Sequence, residues 1–130
     1  MRVFIASDHA GLERKNKIRN FLASKNYELE DMGPDQFDQQ DDYPDYAFAL
    51  AKKVVASKGR GVLVCGNGQG VCIAANKVKG IRATSAFDPE MAKTTRVDDD
   101  ANILCLPGRF LDDDKIESIV ETWLETDFSE

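Results

Sequence analysis

The 130-residue chain is long enough for one domain with its own hydrophobic core, and we predict a single domain over residues 1–130. Its formal net charge of −6 argues against nucleic acids and anionic membranes as partners, and no stretch approaches the roughly 18 apolar residues that a membrane span requires. The three cysteines lack the spacing of metal ligands, so we predict reduced thiols and no bound metal. The first predicted strand has no leader before it, which predicts a cytoplasmic location.

Five predicted strands and five predicted helices alternate along the chain. In order, the strands cover residues 2–7, 27–31, 62–65, 81–86 and 103–106. The helices that follow them cover residues 12–24, 43–55, 71–75, 89–95 and 113–124. The second strand is short and polar enough for a sheet edge, and the acidic loop over 32–42 is interpreted as a solvated face. The alternation predicts an α/β fold, a three-layer α/β/α Rossmann-like sandwich with a five-stranded parallel sheet.

Residues with chemically useful side chains follow three of the predicted strands. Asp8 and His9 follow the first strand, Cys65 closes the third, and Arg109 follows the fifth. Because the carboxyl ends of parallel strands meet at one edge of the sheet, where ligands bind in open α/β folds, we expect these residues to line one site. Simpler interpretations stay open, since Asp8 could only cap a helix and His9 could be satisfied within its turn.

A glycine-rich segment, CGNGQG over residues 65–70, joins the central strand to a helix of small residues. Its glycines allow the backbone to approach a ligand closely, and the free N–H groups at the start of a helix suit an anion. A thiol in this setting can serve as a base, although the spacing fits a cysteine that packs in the core equally well. The other two cysteines, Cys72 and Cys105, are interpreted as core residues.

Six short motifs together resemble one enzyme family. They are Ser7-Asp8-His9-Ala10-Gly11, Asp42-Tyr43-Pro44, Cys65-Gly66-Asn67-Gly68, Ile73-Ala74-Ala75-Asn76-Lys77, Gly80-Ile81-Arg82-Ala83 and Asp100-Ala101-Asn102. Along essentially its whole length, the chain is similar to the type B ribose-5-phosphate isomerases, which are grouped with the galactose-6-phosphate isomerase subunits. The resemblance implies an aldose–ketose isomerase of phosphorylated sugars that needs no cofactor and no metal. It also implies a homodimer, or a dimer of dimers, whose active sites are shared between chains.

The resemblance also implies roles for individual residues. Cys65 matches the base that moves a proton between carbons 1 and 2 of the open-chain sugar through an enediolate. The loop that follows it matches the N–H groups that stabilise the enediolate oxygen, Tyr43 matches a residue of the pocket wall, and Arg109 matches a phosphate-binding arginine. The predicted substrate-binding residues are Asp8, His9, Tyr43, Gly66, Asn67, Gly68, Gln69, Gly70, Asp99 and Arg109.

The chain departs from the family pattern at several positions. Asn67 stands where the family has a threonine, and its amide can still donate to a substrate oxygen. Asp98 replaces the histidine that opens the sugar ring, and Asp99 replaces a substrate-contacting asparagine. Either His9 takes over the acid–base role, helped by one of these carboxylates, or the enzyme uses the spontaneously open sugar. The predicted catalytic residues are Cys65, Asn67, Asp98 and His9.

Several functions remain compatible with the sequence. Interconversion of ribose 5-phosphate and ribulose 5-phosphate, a step of pentose phosphate metabolism, is the principal prediction. A hexose 6-phosphate or allose 6-phosphate could be the substrate instead, because the ring-opening histidine and two tail arginines of the family have no counterpart before Glu130. The alternatives outside catalysis are a phosphosugar-binding dimer and a flavodoxin-like nucleotide-binding module.

Overall fold

The computed structural model describes all 130 residues and contains one sheet of five parallel strands in the order β2-β1-β3-β5-β4. The strands are β1 (Arg2–Ser7), β2 (Glu28–Asp31), β3 (Arg60–Cys65), β4 (Ala83–Ser85) and β5 (Ile103–Pro107). The helices are α1 (Leu12–Ala23), α2 (Tyr43–Ser57), α3 (Gly70–Ala75), α4 (Pro89–Val97) and α5 (Asp113–Glu125), with a 3₁₀ turn over His9–Gly11. The predicted α/β/α sandwich is confirmed, and β2 is an edge strand as expected.

Both faces of the sheet are covered because side chains alternate along each buried strand. Val3 and Val62 belong to a cluster of 16 buried apolar residues that also includes the apolar faces of α1 and α5. Phe4, Leu63 and Cys65 belong to a second cluster of 15, packed with α2 and α3 on the opposite face. The three central strands are therefore buried on both sides.

The fourth strand is shorter than predicted, since residues 81 and 82 do not join the ladder. The Arg82 N–H donates to the side-chain Oδ1 of Asn102 at 2.8 Å instead of to a neighbouring strand. On the outer edge, the Asn76 side chain exchanges two hydrogen bonds of 2.8 Å with the main chain of Ala83. Two asparagine side chains thus satisfy the backbone groups at this edge, where the sequence pattern predicted a longer strand.

A buried lysine connects α1 to the edge of the sheet. The Lys15 side chain is fully buried, and its Nζ donates to both carboxylate oxygens of Asp31 at 2.9 Å and to the carbonyl of Pro34 at 2.8 Å. Burial alone would raise the pKa of Asp31, but the hydrogen bonds from Lys15, the Gly33 N–H and Arg19 outweigh it and hold that pKa below its ordinary value. This ion pair fixes the start of the loop between β2 and α2.

No helix in the structure combines the length and the apolar character that crossing a membrane requires.

Replacing Lys15 with methionine should lower the free energy of unfolding by about 2 kcal/mol near pH 7, because Asp31 and the Pro34 carbonyl lose their shared donor. The folded-state pKa of Asp31 is depressed, so the ion pair contributes fully above about pH 4 and is lost as the carboxylate protonates in acid. Urea unfolding of both proteins across this pH range measures the difference. Lys52→Met, at an exposed position of α2, is the matched control. A deficit that did not shrink in acid would contradict this account.

Candidate active site

A cleft of about 540 Å³ opens at the carboxyl ends of β1, β3 and β5. After β1 the chain crosses to β2 on one side of the sheet, whereas after β3 it crosses to β4 and β5 on the other side. The cleft lies between β1 and β3, where the strand order changes direction. Its lining residues are Asp8, His9, Ala10, Tyr43, Cys65, Gly66, Asn67, Gly70, Arg109 and Phe110. The structure therefore brings most of the predicted site residues together.

The turn after β1 packs directly on the end of β3. The Asp8 N–H donates to the Val64 carbonyl at 3.3 Å, and a β-carbon at Gly11 would lie 2.5 Å from the same oxygen. Only glycine allows this approach, since the obstacle is main chain that cannot move aside. The contact places the Asp8 and His9 side chains beside Cys65.

Cys65 lies at the floor of the cleft and is 4% exposed. Its Sγ accepts a hydrogen bond from the Gly68 N–H at 3.2 Å and lies 3.8 Å from Asn67 Oδ1. That Oδ1 also accepts from the Gln69 N–H at 2.9 Å, which leaves the Asn67 amide nitrogen free to donate toward the cleft. The loop thus supplies one donor to the sulfur and leaves the Asn67 amide nitrogen unpaired at the cleft.

Gly68 adopts a φ of +75°, and a β-carbon there would lie 2.9 Å from main-chain atoms of Leu106 and Pro107. The loop folds around the sulfur because this position carries no side chain. Gly68 and Gln69 do not line the cleft themselves: Gly68 supports the loop from below, and the Gln69 side chain lies 3.3 Å from the Ser85 hydroxyl. Both are predicted substrate-binding residues, and their direct contact with a ligand stays a prediction.

Arg109 provides a guanidinium at the mouth of the cleft. Its main-chain N–H donates to the Gly66 carbonyl at 3.0 Å, and its Nη1 lies 3.0 Å from where a Gly66 β-carbon would be. No carboxylate of the chain pairs with Arg109, whereas Arg14 is held by the Gly108 carbonyl and by Asp113. Arg109 is therefore available to bind an anion.

An Asp–His–Asp cluster stands at the cleft, which Asp8 and His9 line directly and Asp41 does not. His9 Nδ1 lies 2.7 Å from Asp41 Oδ1, and the His9 ring contacts Phe37 edge to face. Asp8 caps the 3₁₀ turn by accepting from the Gly11 N–H at 3.0 Å, so the capping interpretation holds, and it lines the cleft as well. Burial raises the pKa of Asp8 and the charge of Asp41 adds to the rise, while the Gly11 N–H and His9 act against it.

Asp41 and Phe110 are not among the predicted site residues, and the interpretation of the whole acidic loop as a solvated face is wrong. The Asp41 carboxylate is only 6% exposed because it turns inward onto His9. Neither residue carries a local signal, since an aspartate in a polar loop and a phenylalanine after a strand are both unremarkable. Only the preceding Arg109 pointed to the neighbourhood of Phe110.

Asp98 and Asp99 lie away from this cleft within the chain. They follow α4, which runs from the carboxyl end of β4 back toward the amino ends of the strands. There the Asp99 carbonyl accepts from Arg82 Nε at 2.6 Å. A single subunit thus does not place these carboxylates beside Cys65, and their predicted roles would require a second chain.

A model of the ribose/galactose isomerase family matches residues 3–130 of the chain. The chain belongs to this family. It is 46% identical over 128 residues to a protein named probable ribose-5-phosphate isomerase B from Mycoplasma genitalium, covering 97% of this chain and 84% of the relative. It is 34% identical over 129 residues to a D-erythrulose-4-phosphate isomerase from Pectobacterium atrosepticum, covering 98% of this chain and 85% of that one.

The fold matches that of a solved family member. The crystal structure of ribose-5-phosphate isomerase B from Mycoplasma genitalium with bound ribulose-5-phosphate superposes with a TM-score of 0.96 at 44% identity, covering 99% of this chain and 86% of that one. The predictions of this family, and of an enzyme that interconverts aldose and ketose phosphates, are confirmed.

Cys72 differs from the other two thiols in its surroundings. It is half-buried on α3, whereas Cys65 and Cys105 are buried. A hydrogen bond with Cys105 lowers the pKa of Cys72 to about 7, with a smaller effect from Ser85 and with burial opposing both. Cys72 does not line the cleft, so its lowered pKa belongs to a thiol outside the site.

Iodoacetamide should therefore modify Cys72 first, and the rate should rise as pH passes through about 7 because the thiolate is the reacting form. Mass spectrometry of peptides from briefly treated protein identifies the labelled thiol. The Cys72→Ser variant should lose the rapid phase. Rapid labelling of Cys65 or Cys105 instead would show that access, rather than thiolate fraction, governs the reaction.

Proposed function

We propose that this isomerase interconverts ribose 5-phosphate and ribulose 5-phosphate, with Cys65 as the proton-transfer base. The observation that carries the proposal is one cleft lined by a thiol, a glycine loop with free donors and an unpaired guanidinium. Relatives named ribose-5-phosphate isomerase B support the choice of sugar, as does the ribulose-5-phosphate bound in one of their structures.

The chemistry follows from these positions. The Cys65 thiolate removes the proton from carbon 2 of the open-chain aldose, and the electrons form an enediolate across carbons 1 and 2. Donors at fixed positions stabilise the negative oxygen, here the loop N–H groups and the amide of Asn67. The proton then returns to carbon 1 while the O2 hydroxyl proton passes to O1, and the carbonyl that forms at carbon 2 completes the ketose. Arg109 holds the phosphate at the far end and so orients the reacting carbons over the sulfur.

Ring opening requires a second proton transfer, because ribose 5-phosphate is closed through its O4 oxygen. His9 is the only histidine of the chain, and its ring lines the cleft. We assign the ring-opening role to His9. Asp98, which occupies the position of the family's histidine, lies outside the cleft of its own subunit.

We further propose a homodimer, or a dimer of dimers, in which a partner chain brings Asp98 and Asp99 to the cleft. Ile73 on α3 is 62% exposed, and Phe87 and Met91 near the start of α4 are each 40% exposed. Apolar side chains left exposed in this way are suited to contact between subunits. Such an assembly supports the shared site that the family resemblance predicts.

A second substrate class has a specific observation in its favour. Relatives of 34% and 35% identity are named D-erythrulose-4-phosphate isomerases. A tetrose 4-phosphate has no free O4 to close a five-membered ring and needs no ring opening. If ribose 5-phosphate is not isomerised and D-erythrulose 4-phosphate is, the substrate assignment fails while the cysteine chemistry stands.

The Cys65→Ser variant should isomerise ribose 5-phosphate at least about a hundredfold more slowly than the wild type, because a serine hydroxyl is a far poorer base than a thiolate. Turnover is measured as ketose formed from ribose 5-phosphate, with circular dichroism to establish that the variant is folded. Cys72→Ala, which removes a thiol outside the cleft, is the matched control. Wild-type turnover in Cys65→Ser would remove the sulfur from the mechanism.

The Arg109→Ala variant should raise the Michaelis constant for ribose 5-phosphate by about ten- to a hundredfold, because one charged hydrogen-bonding partner of the phosphate is lost. Steady-state kinetics measure this against Lys115→Ala, which removes an exposed positive charge that does not line the cleft. An unchanged Michaelis constant in Arg109→Ala would place the phosphate elsewhere.

A further inference from the structure

The carboxylate of Asp41 holds His9 at two points. Its Oδ1 accepts from the main-chain N–H of His9 at 3.1 Å and lies 2.7 Å from the ring nitrogen Nδ1. The Asp41 side chain is 6% exposed, and its Oδ2 is buried without a partner. A single carboxylate oxygen thus fixes both the backbone and the ring of His9. An exposed ion pair at the protein surface does not hold its partner in this way.

The loop that carries Asp41 is itself anchored to the sheet. Near its start, the Met32 N–H donates to the Ile5 carbonyl at 2.8 Å, and the Gly33 carbonyl accepts from the Ser7 N–H at 3.1 Å. The Lys15 ammonium binds the Pro34 carbonyl. Phe37, farther along, contacts the His9 ring with centroids 5.6 Å apart. Asp41 is therefore presented from a loop that is tied down at its origin and at the imidazole.

The hydrogen bond between His9 Nδ1 and Asp41 determines the tautomer of the neutral His9 ring, and therefore which ring nitrogen carries a lone pair. An ionised carboxylate only accepts, so Nδ1 must carry the hydrogen. In the neutral ring, Nε2 is then an acceptor, and no group of the chain bonds to it. The charged or titratable groups around the ring are Asp8, Asp41, Tyr43, Cys65 and Arg109, and Tyr46 lies near Asp41, Asp38 and Asp45.

We propose that Asp41 is a positioning residue for sugar-ring opening, which it promotes by holding His9 as the Nδ1–H tautomer with Nε2 toward the substrate. This rests on the proposed function. Nε2 takes the proton from the O1 hydroxyl of the furanose, the C1–O1 double bond forms, the C1–O4 bond breaks, and Nε2 returns the proton to O4. The carboxylate stabilises the imidazolium that exists between the two transfers.

The tautomer can be measured without any activity. Because the chain has one histidine, protein labelled with ¹⁵N in its imidazole gives one pair of ring nitrogen signals. At alkaline pH the wild type should show a hydrogen on Nδ1, and Asp41→Ala should lose that preference. Asp35→Ala, which removes an exposed acid of the same loop with no side-chain hydrogen bond, should retain it. A hydrogen on Nε2 in the wild type overturns the proposal even if no variant folds.

Steady-state kinetics then distinguish a positioning role of Asp41 from a general effect of the substitution on the fold. Asp41→Ala should lower kcat for ribose 5-phosphate about tenfold or more with little change in the Michaelis constant, and it should have no further effect in a His9→Ala background. Additive losses in the double variant, or an unchanged kcat in Asp41→Ala, overturn the proposal. A wild-type protein that does not turn over ribose 5-phosphate contradicts the proposed function instead, while the tautomer still tests the contact between Asp41 and His9.

Discussion

The cleft depends on one close contact, between the turn after β1 and the last residues of β3. Ser7 and Val64 are paired in the ladder, and Gly11 lies so near the Val64 carbonyl that a β-carbon would be 2.5 Å from its oxygen. Neighbouring parallel strands end at the same edge of a sheet. The contact therefore brings together the residues that follow β1 and β3, and with them their side chains. The imidazole of His9 and the thiol of Cys65 face one cavity because the two strand ends cannot move apart independently.

Positive charge is distributed unevenly over the molecule. Arg60 and Arg96 donate to main-chain carbonyls at the end of α5 and lie over the Trp123 ring, with their guanidiniums 5.6 and 5.9 Å from its centroid. These cations stabilise a helix end, where carbonyl groups lack helical partners. Arg109 differs from them because it lies at the mouth of a cavity without a carboxylate partner. The other arginines described here are held by groups of the chain itself, whereas Arg109 is left unpaired at the cleft.

The parts of the site that were predictable are those determined by local sequence. Asp8, His9 and Cys65 stand directly at strand ends, and strand ends can be located from apolar runs. Asp41 was not predictable, since its inward direction depends on the path of a loop that is fixed by the distant Lys15 and by β1. The shortened β4 had the same kind of cause: the side chain of Asn102, 20 residues farther along the chain, accepts the Arg82 N–H that a longer strand would have paired.

Cys65 belongs at once to the cleft and to the apolar cluster between the sheet and α2 and α3. The Cys65 sulfur is therefore as immobile as the core, which suits its proposed role as a base that must meet one carbon at a set distance. The same position constrains how the enzyme can evolve. A longer base, such as a carboxylate on an extended side chain, would need compensating losses of volume in the surrounding core before it could be accommodated at position 65. Replacement of the thiol is thus a problem of packing as much as of chemistry.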